Sequence, residues 1–285
     1  MPDDLRATLA GVRAFVLDAD GVLLYRGRPI DGSVAALETL QARGIPYRVV
    51  TNYSSVHRTT LAEQFSGLTG LPPEPDRIIT AASAAAAYTA TRHPGQRLMV
   101  LASADALREW DGQHVVSLEE ADRDGATVDV VVIGDAGDDL SFRNLDIAFR
   151  HLQAGAAFVA MHRNPWWIAG RGLSLDSGAL VAGLEYATGR RAIVGGKPSA
   201  VVFREALREL RGDVAAARGR PLRAADVAMV GDDPRADVAA GMRVGLRGIL
   251  VLSGKLDRAT ATAALSKVRV DAVAADLAEV VAALA

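Results

Sequence analysis

AFVLDADGVL, residues 14–23, decides the fold. Ala14–Leu17 run without a polar break into Asp18, Asp20 and Gly21. A short continuous apolar run is the pattern of a strand buried on both faces, and here the acids stand where that strand would end. The pattern recurs: TNYSS follows Tyr47–Val50, and GDDPRAD follows Val227–Val230. Further strands are predicted at Leu98–Leu101, Val128–Ile133, Ala157–Met161 and Ile249–Leu252. Helical patterns lie between them at Ser33–Arg43, Ala81–Arg92, Ser141–Ala154, Gly178–Thr188, Ser199–Leu210 and Asp276–Leu284, with Ser33 and Ser141 as candidate caps. Strand–helix alternation predicts an α/β protein with parallel sheets. Open parallel sheets bind ligands at the carboxyl ends of their strands, so three polar loops at one predicted edge mark a site.

The chain has 285 residues, long for one core, which predicts two domains or one domain with a large insert. LTGLPPEPDR, residues 68–77, is the best candidate for a crossing between them. Half of the residues are hydrophobic and 23% are charged, as in a packed globular protein. A net charge of -2 argues against a nucleic-acid partner. With no cysteine, disulfides and thiolate metal sites are excluded. MPDDLRATLAGVRAFVLDAD does not read as a secretory signal, and no uncharged apolar stretch approaches the ~20 residues of a membrane span. The expectation is a soluble cytoplasmic protein without membrane partners.

Asp18 and Asp20 stand two apart, and adjacent carboxylates repel unless a cation or shared proton joins them. Hard oxygen ligands without cysteine or clustered histidine favour magnesium. One carboxylate can attack phosphorus while the other handles the leaving-group proton. A pair of turn acids is the competing reading. Thr51 and Asn52 offer a hydroxyl and an amide to phosphoryl oxygens, or form an ordinary turn. Lys197, in GGKPS, can offset the charge of Asp18 and a phosphate, or be a surface lysine; the glycines allow close backbone approach and Pro198 suits the first turn of a helix. This is not a phosphate loop of the GxxxxGK[ST] kind, because position 191 is Arg where that pattern needs Gly. Asp232, Asp233 and Asp237 supply a second set of acids, or a solvated turn.

In this order the four signals resemble the haloacid dehalogenase superfamily of phosphohydrolases, and the resemblance spans nearly the whole chain. It implies Asp18 as nucleophile, Asp20 as general acid/base, and phosphoryl binding by Thr51, Asn52 and Lys197. It also implies a magnesium ion held by Asp18, the Asp20 backbone carbonyl and Asp232, with Asp233 and Asp237 in support. Asp20 and Thr51 are 31 positions apart, too few for an intervening domain, whereas the 146 positions from Thr51 to Lys197 accommodate a whole α/β cap. That is the arrangement of subfamily IIA: a Rossmann-like core at 1–79 and 190–285, with an inserted C2-type cap at 80–189. The segment GLSLDSGALVAGLEYATGRRAIVGGKPS is most similar to the branch acting on phospholysine, phosphohistidine and inorganic pyrophosphate. Tyr53 departs from the Asn of many members, and LDSG at 175–178 from the Pro-Gly of sugar-phosphate members.

A small phosphorylated compound or pyrophosphate is therefore the expected substrate. Capped relatives often dimerise through the cap, so the resemblance also allows a homodimer. Trp166 and Trp167, flanked by Arg163 and Arg171, either line a substrate mouth or pack the cap. The five histidines show no ligand spacing. Two other functions compete: a phosphotransferase or sugar-phosphate phosphatase of the same superfamily, and a non-catalytic phosphate-binding α/β protein. A receiver-like domain of the latter kind would be shorter and would lack Asp20.

Overall fold

The computed structural model describes residues 4–70, 74–169, 172–217 and 219–284. Residues 71–73 of the predicted crossing, and Arg171, lie outside them. Ala14, Phe15, Val16 and Leu17 are fully buried, as a continuous apolar run requires of a strand covered on both faces. Their strand, Ala14–Asp18, pairs in parallel with Tyr47–Val50 on one side and Val227–Gly231 on the other. Arg247–Val251 and Ala272–Ala274 extend the sheet beyond Val227–Gly231, and Ile78–Ile79 extends it beyond Tyr47–Val50. All six strands are parallel, giving an α/β sheet whose strand order reverses at Ala14–Asp18. Register does the rest. Asp18 lies opposite Val50, and Leu17 opposite Val230, so the residues after each strand emerge at one edge.

The chain divides into two units, one made of Met1–Thr51, Leu61–Ile79 and Lys197–Ala285, the other of Asn52–Thr60 and Thr80–Gly196. The second unit has its own parallel sheet, in the order Ile193–Val194, Ala157–Ala160, Val130–Ile133, Leu98–Leu101. Val131 and Ile133 enter one apolar cluster with Ile147, Leu152 and Val181; Val130 and Val132 enter another with Trp110 and Ala85. An antiparallel hairpin pairs Trp166–Ala169 with Gly172–Leu175. Among the described residues no helix is long and apolar enough to cross a membrane.

Several local expectations change. Ser141 caps its helix, its Oγ accepting from the Asn144 N–H, but Ser33 does not: it is the first helical residue, and its hydroxyl donates to Leu23 O. Pro198 is not in a first turn either, since Ser199 is the cap of Ala200–Ala216. The strand expected at Val128–Ile133 begins at Val130, the first residue in register with both neighbours, Leu98 and Ala157. The strand expected at Ile249–Leu252 starts two residues earlier and ends at Val251.

Helix Ala200–Ala216 is fastened to the sheet by a buried cation. Arg48 Nε donates to Glu209 Oε2 at 2.7 Å, and its terminal nitrogens donate to Asp213 at 2.8 and 3.1 Å. Burial alone would lower the Arg48 pKa, but the bonds to Asp213 and Glu209 outweigh it and raise it. Hydrogen bonds to charged groups contribute about 1.5–3 kcal/mol, and Asp213 is partly solvated, so Arg48→Ala is expected to cost about 2 kcal/mol. Urea denaturation of the two proteins measures this; an unchanged midpoint would mean that packing alone holds the helix.

Candidate active site

The strand ends deliver a compact charged group. Asp18, Asp232 and Asp237 are buried, and one carboxylate oxygen from each lies within 4.8 Å of the others. Lys197 Nζ bonds Asp18 Oδ1 and stands 2.9 Å from Asp237 Oδ1. Asp18 Oδ1 also accepts from the Ala19 N–H at 2.7 Å, which fixes the rotation of the carboxylate. Asp237 rises from the wide helical turn Pro234–Ala239, where its Oδ2 accepts from the Asp233 N–H at 3.1 Å. Asp233 is used locally: its Oδ1 accepts from the N–H groups of Arg235 and Ala236.

Three buried carboxylates share one buried ammonium, with Lys255 at the rim beside Asp232, and the titration behaviour follows. Desolvation, reinforced by the charge of Asp237, raises Asp18 well above the ordinary carboxylate range despite Lys197. Desolvation also raises Asp232, against the opposing effect of Lys255. Burial alone would lower Lys197, but the charges of Asp18 and Asp237 prevail and hold it above its ordinary value. Asp20 presents an exposed residue surface, yet protein atoms desolvate its carboxyl enough to raise it, with Lys197 and Lys255 opposing.

Thr51 is buried directly after the strand that pairs with Ala14–Asp18, and its N–H donates to Ile79 O at 3.0 Å. Asn52 begins the second unit and rests against Gly196, where any Cβ would collide with its Oδ1. That accounts for the second glycine of GGKPS. In the same unit Arg163 is committed to an ion pair, 2.7 Å from Glu185 Oε2, whose carboxylate is nearly inaccessible to solvent. Trp166 and Trp167 are 55% and 53% exposed, so neither is a core residue. The histidines take packing and bonding roles: His151 Nε2 meets Ala121 O at 2.9 Å, and His162 Nε2 meets Ser54 Oγ at 2.9 Å. Burial pushes His162 below its ordinary value.

Residues 15–115 match the sequence profile of a family described as haloacid dehalogenase-like hydrolase, and residues 194–280 match a HAD-hydrolase-like profile. Haloacid dehalogenase-like hydrolase domain-containing protein 2 of Bos taurus is 33% identical over 249 residues, 87% of each chain. The chain belongs to the haloacid dehalogenase-like hydrolases. Human phospholysine phosphohistidine inorganic pyrophosphate phosphatase is 31% identical over 253 residues, covering 87% of this chain and 85% of that one. Among solved structures, the p-nitrophenyl phosphatase from Archaeoglobus fulgidus superposes with a TM-score of 0.82 at 28% identity, over 96% of this chain and 99% of the other. NagD from E. coli K-12 superposes with 0.78 at 26%, over 94% and 98%. The match covers core and insert together, the arrangement of subfamily IIA.

Hydrolases of this family generally use magnesium, and the acid cluster here fits a cation. Asp232 Oδ1 is buried without a hydrogen-bond partner among the described residues. Asp237 Oδ1 is likewise buried without a hydrogen-bond partner among the described residues, with Lys197 Nζ 2.9 Å away. Oxygens within 4.8 Å of one another suit a small hard cation, whose ligands at about 2.1 Å stand roughly 3–4 Å apart. Sequence reasoning missed Lys255, which follows the strand Arg247–Val251 and lies 3.2 Å from Asp233 Oδ2. The signal was present, because SGKLD is one more polar loop at the same sheet edge.

Lys197→Met removes the ammonium from two buried carboxylates and is expected to destabilise the cation-free protein by about 3–5 kcal/mol. Millimolar magnesium should raise the melting temperature of the wild type, and that of the variant more, because the ion takes over the missing charge. Melting curves that ignore magnesium in both proteins would refute the cluster as a cation site.

Proposed function

We propose that this chain is a magnesium-dependent phosphatase acting through an aspartyl-phosphate on Asp18. The observation that carries the reading is the Asp18 carboxylate, held by Lys197 and the Ala19 N–H beside Asp232 and Asp237. With Oδ1 fixed by two donors, Oδ2 is the attacking oxygen. It bonds to phosphorus as the bond to the leaving oxygen breaks, and Asp20 gives that oxygen its proton. Burial raises the Asp20 pKa, the direction that favours a proton donor. In the second half Asp20 takes a proton from water, the water oxygen attacks phosphorus, and Asp18 is released with inorganic phosphate. Thr51 and Asn52 hydrogen-bond the phosphoryl oxygens, and Lys197 offsets their charge. Asp18, the Asp20 carbonyl and Asp232 would hold a magnesium ion, which supplies the positive charge that lets carboxylate and phosphate meet. The first unit is the catalytic core and the second the cap.

Asp18→Asn is expected to abolish turnover with the fold intact, and radiolabelled phosphate trapped on any other residue would overturn the assignment. A general acid typically contributes ~10²–10⁴-fold, so Asp20→Asn should slow an alkyl phosphate far more than p-nitrophenyl phosphate. Equal losses on both would dismiss Asp20 as the acid.

Substrate choice rests on the cap. Half-exposed Trp166 and Trp167 offer flat apolar faces to a planar leaving group. Arg163 is spoken for by Glu185. The relative whose name cites phospholysine, phosphohistidine and inorganic pyrophosphate supports phosphoramidate or phosphoanhydride bonds. Pyrophosphate or imidodiphosphate is expected to be cleaved with higher kcat/KM than a sugar phosphate. Trp166→Ala or Trp167→Ala should raise KM while leaving p-nitrophenyl phosphate turnover in place. Kinetics on a substrate panel decide this, and a clear sugar-phosphate preference would favour the sugar-phosphate phosphatase reading instead.

A further inference from the structure

The strand Arg247–Val251 runs on into Leu252, Ser253, Gly254 and Lys255. Ser253 Oγ donates to Gly21 O at 2.7 Å, tying this loop to the one that follows Asp18. A Cβ on Gly254 would collide with the Asp232 carboxylate and with Gly21, so only glycine permits the approach. The Lys255 N–H then donates to Asp232 Oδ2 at 2.8 Å. That bond occupies one carboxylate oxygen and leaves Oδ1, the buried atom without a hydrogen-bond partner among the described residues.

The side chain of the same lysine acts on that atom differently. Lys255 Nζ stands 3.8 Å from Asp232 Oδ1 and 3.2 Å from Asp233 Oδ2. The first distance is too long for a hydrogen bond but well within range of charge. The side chain is 59% exposed, so the ammonium can leave for water at little cost. A divalent cation on Oδ1 would face a like charge a few ångströms away.

We propose that Lys255 is a built-in competitor for the cation: its backbone N–H aims Asp232 at the ion, and its ammonium neutralises Asp232 and Asp233 until the ion displaces it. The inference rests on the magnesium reading above. It makes the loop Ser253–Lys255 a regulator of how tightly the site is loaded, and the ion's arrival the event that releases the lysine.

Lys255→Met keeps the backbone N–H and removes the charge. The full-length chain, stripped with EDTA, is titrated with magnesium chloride by calorimetry at low and high ionic strength. The variant is expected to bind about three- to thirty-fold more tightly at low salt. The gain should shrink as salt screens the exposed ammonium. Lys255→Arg should restore weak binding, and Lys255→Gln is the neutral substitute if the methionine variant fails to fold. Equal or weaker binding by the neutral variants, with wild-type binding detected, would overturn the role of Lys255 and leave the cation site standing. Binding by none of the proteins would overturn both.

Discussion

Unbalanced buried charge is the constraint on which the rest of this structure depends. Asp18, Asp232 and Asp237 are taken out of water with Lys197 as the buried ammonium among them. Buried charges must be paired, and here the pairing is incomplete within the cluster itself. The parallel sheet makes such a cluster reachable, because aligned strand ends bring residues more than two hundred positions apart to one edge. Glycine makes it compact. A side chain at Gly21 or Gly254 would strike the carboxylate of Asp232, and one at Gly231 would strike Asp237. Three loops therefore close on two acids with no room for a Cβ. The raised pKa values of Asp18 and Asp232 express the same strain electrostatically: the site is built for more positive charge than Lys197 brings.

The legible parts of the sequence were those where burial is uniform. Ala14–Leu17 and Val227–Val230 are apolar throughout and buried, and Tyr47–Val50 is buried with Arg48 as its one charged residue, so run length located them, and the acids behind the first and third mark one sheet edge. Ile78–Ile79 and Ala272–Ala274 were not visible, since two or three residues carry no period and owe their strand geometry to the neighbours they pair with. The helix Arg58–Thr69 also escaped, its polar residues spread through RTTLAEQFSGLT without a clear apolar stripe.

Site residues divide in the same way. Asp18, Lys197, Asp232 and Asp237 could be read because each follows a strand or a glycine pair that has no other evident purpose. Lys255 showed only a polar loop behind a strand; its partner Asp232 is 23 positions away, and the tertiary approach at Gly254 unites them. Pairing also changed Arg163 from a candidate anion binder into the counter-ion of Glu185.

That last change bears on what the second unit leaves available at its surface. Glu185 is a buried carboxylate whose side chain is 4% exposed, and Arg163 and Arg191 neutralise it from the surface at 2.7 and 3.2 Å. Its Oε1 also accepts from the Ala192 N–H at 3.0 Å, so the acid ties Arg163 to Arg191 and Ala192. Turning Arg163 toward an anionic substrate would weaken the pairing of a buried charge, a loss that a solvated ion pair does not repay. The hairpin beside it has no such obligation. Trp166 and Leu175 are cross-strand partners that share one face, while Trp167 lies opposite Ser174 on the other, and both tryptophans are half-exposed. What the described residues of this hairpin expose is therefore flat apolar area.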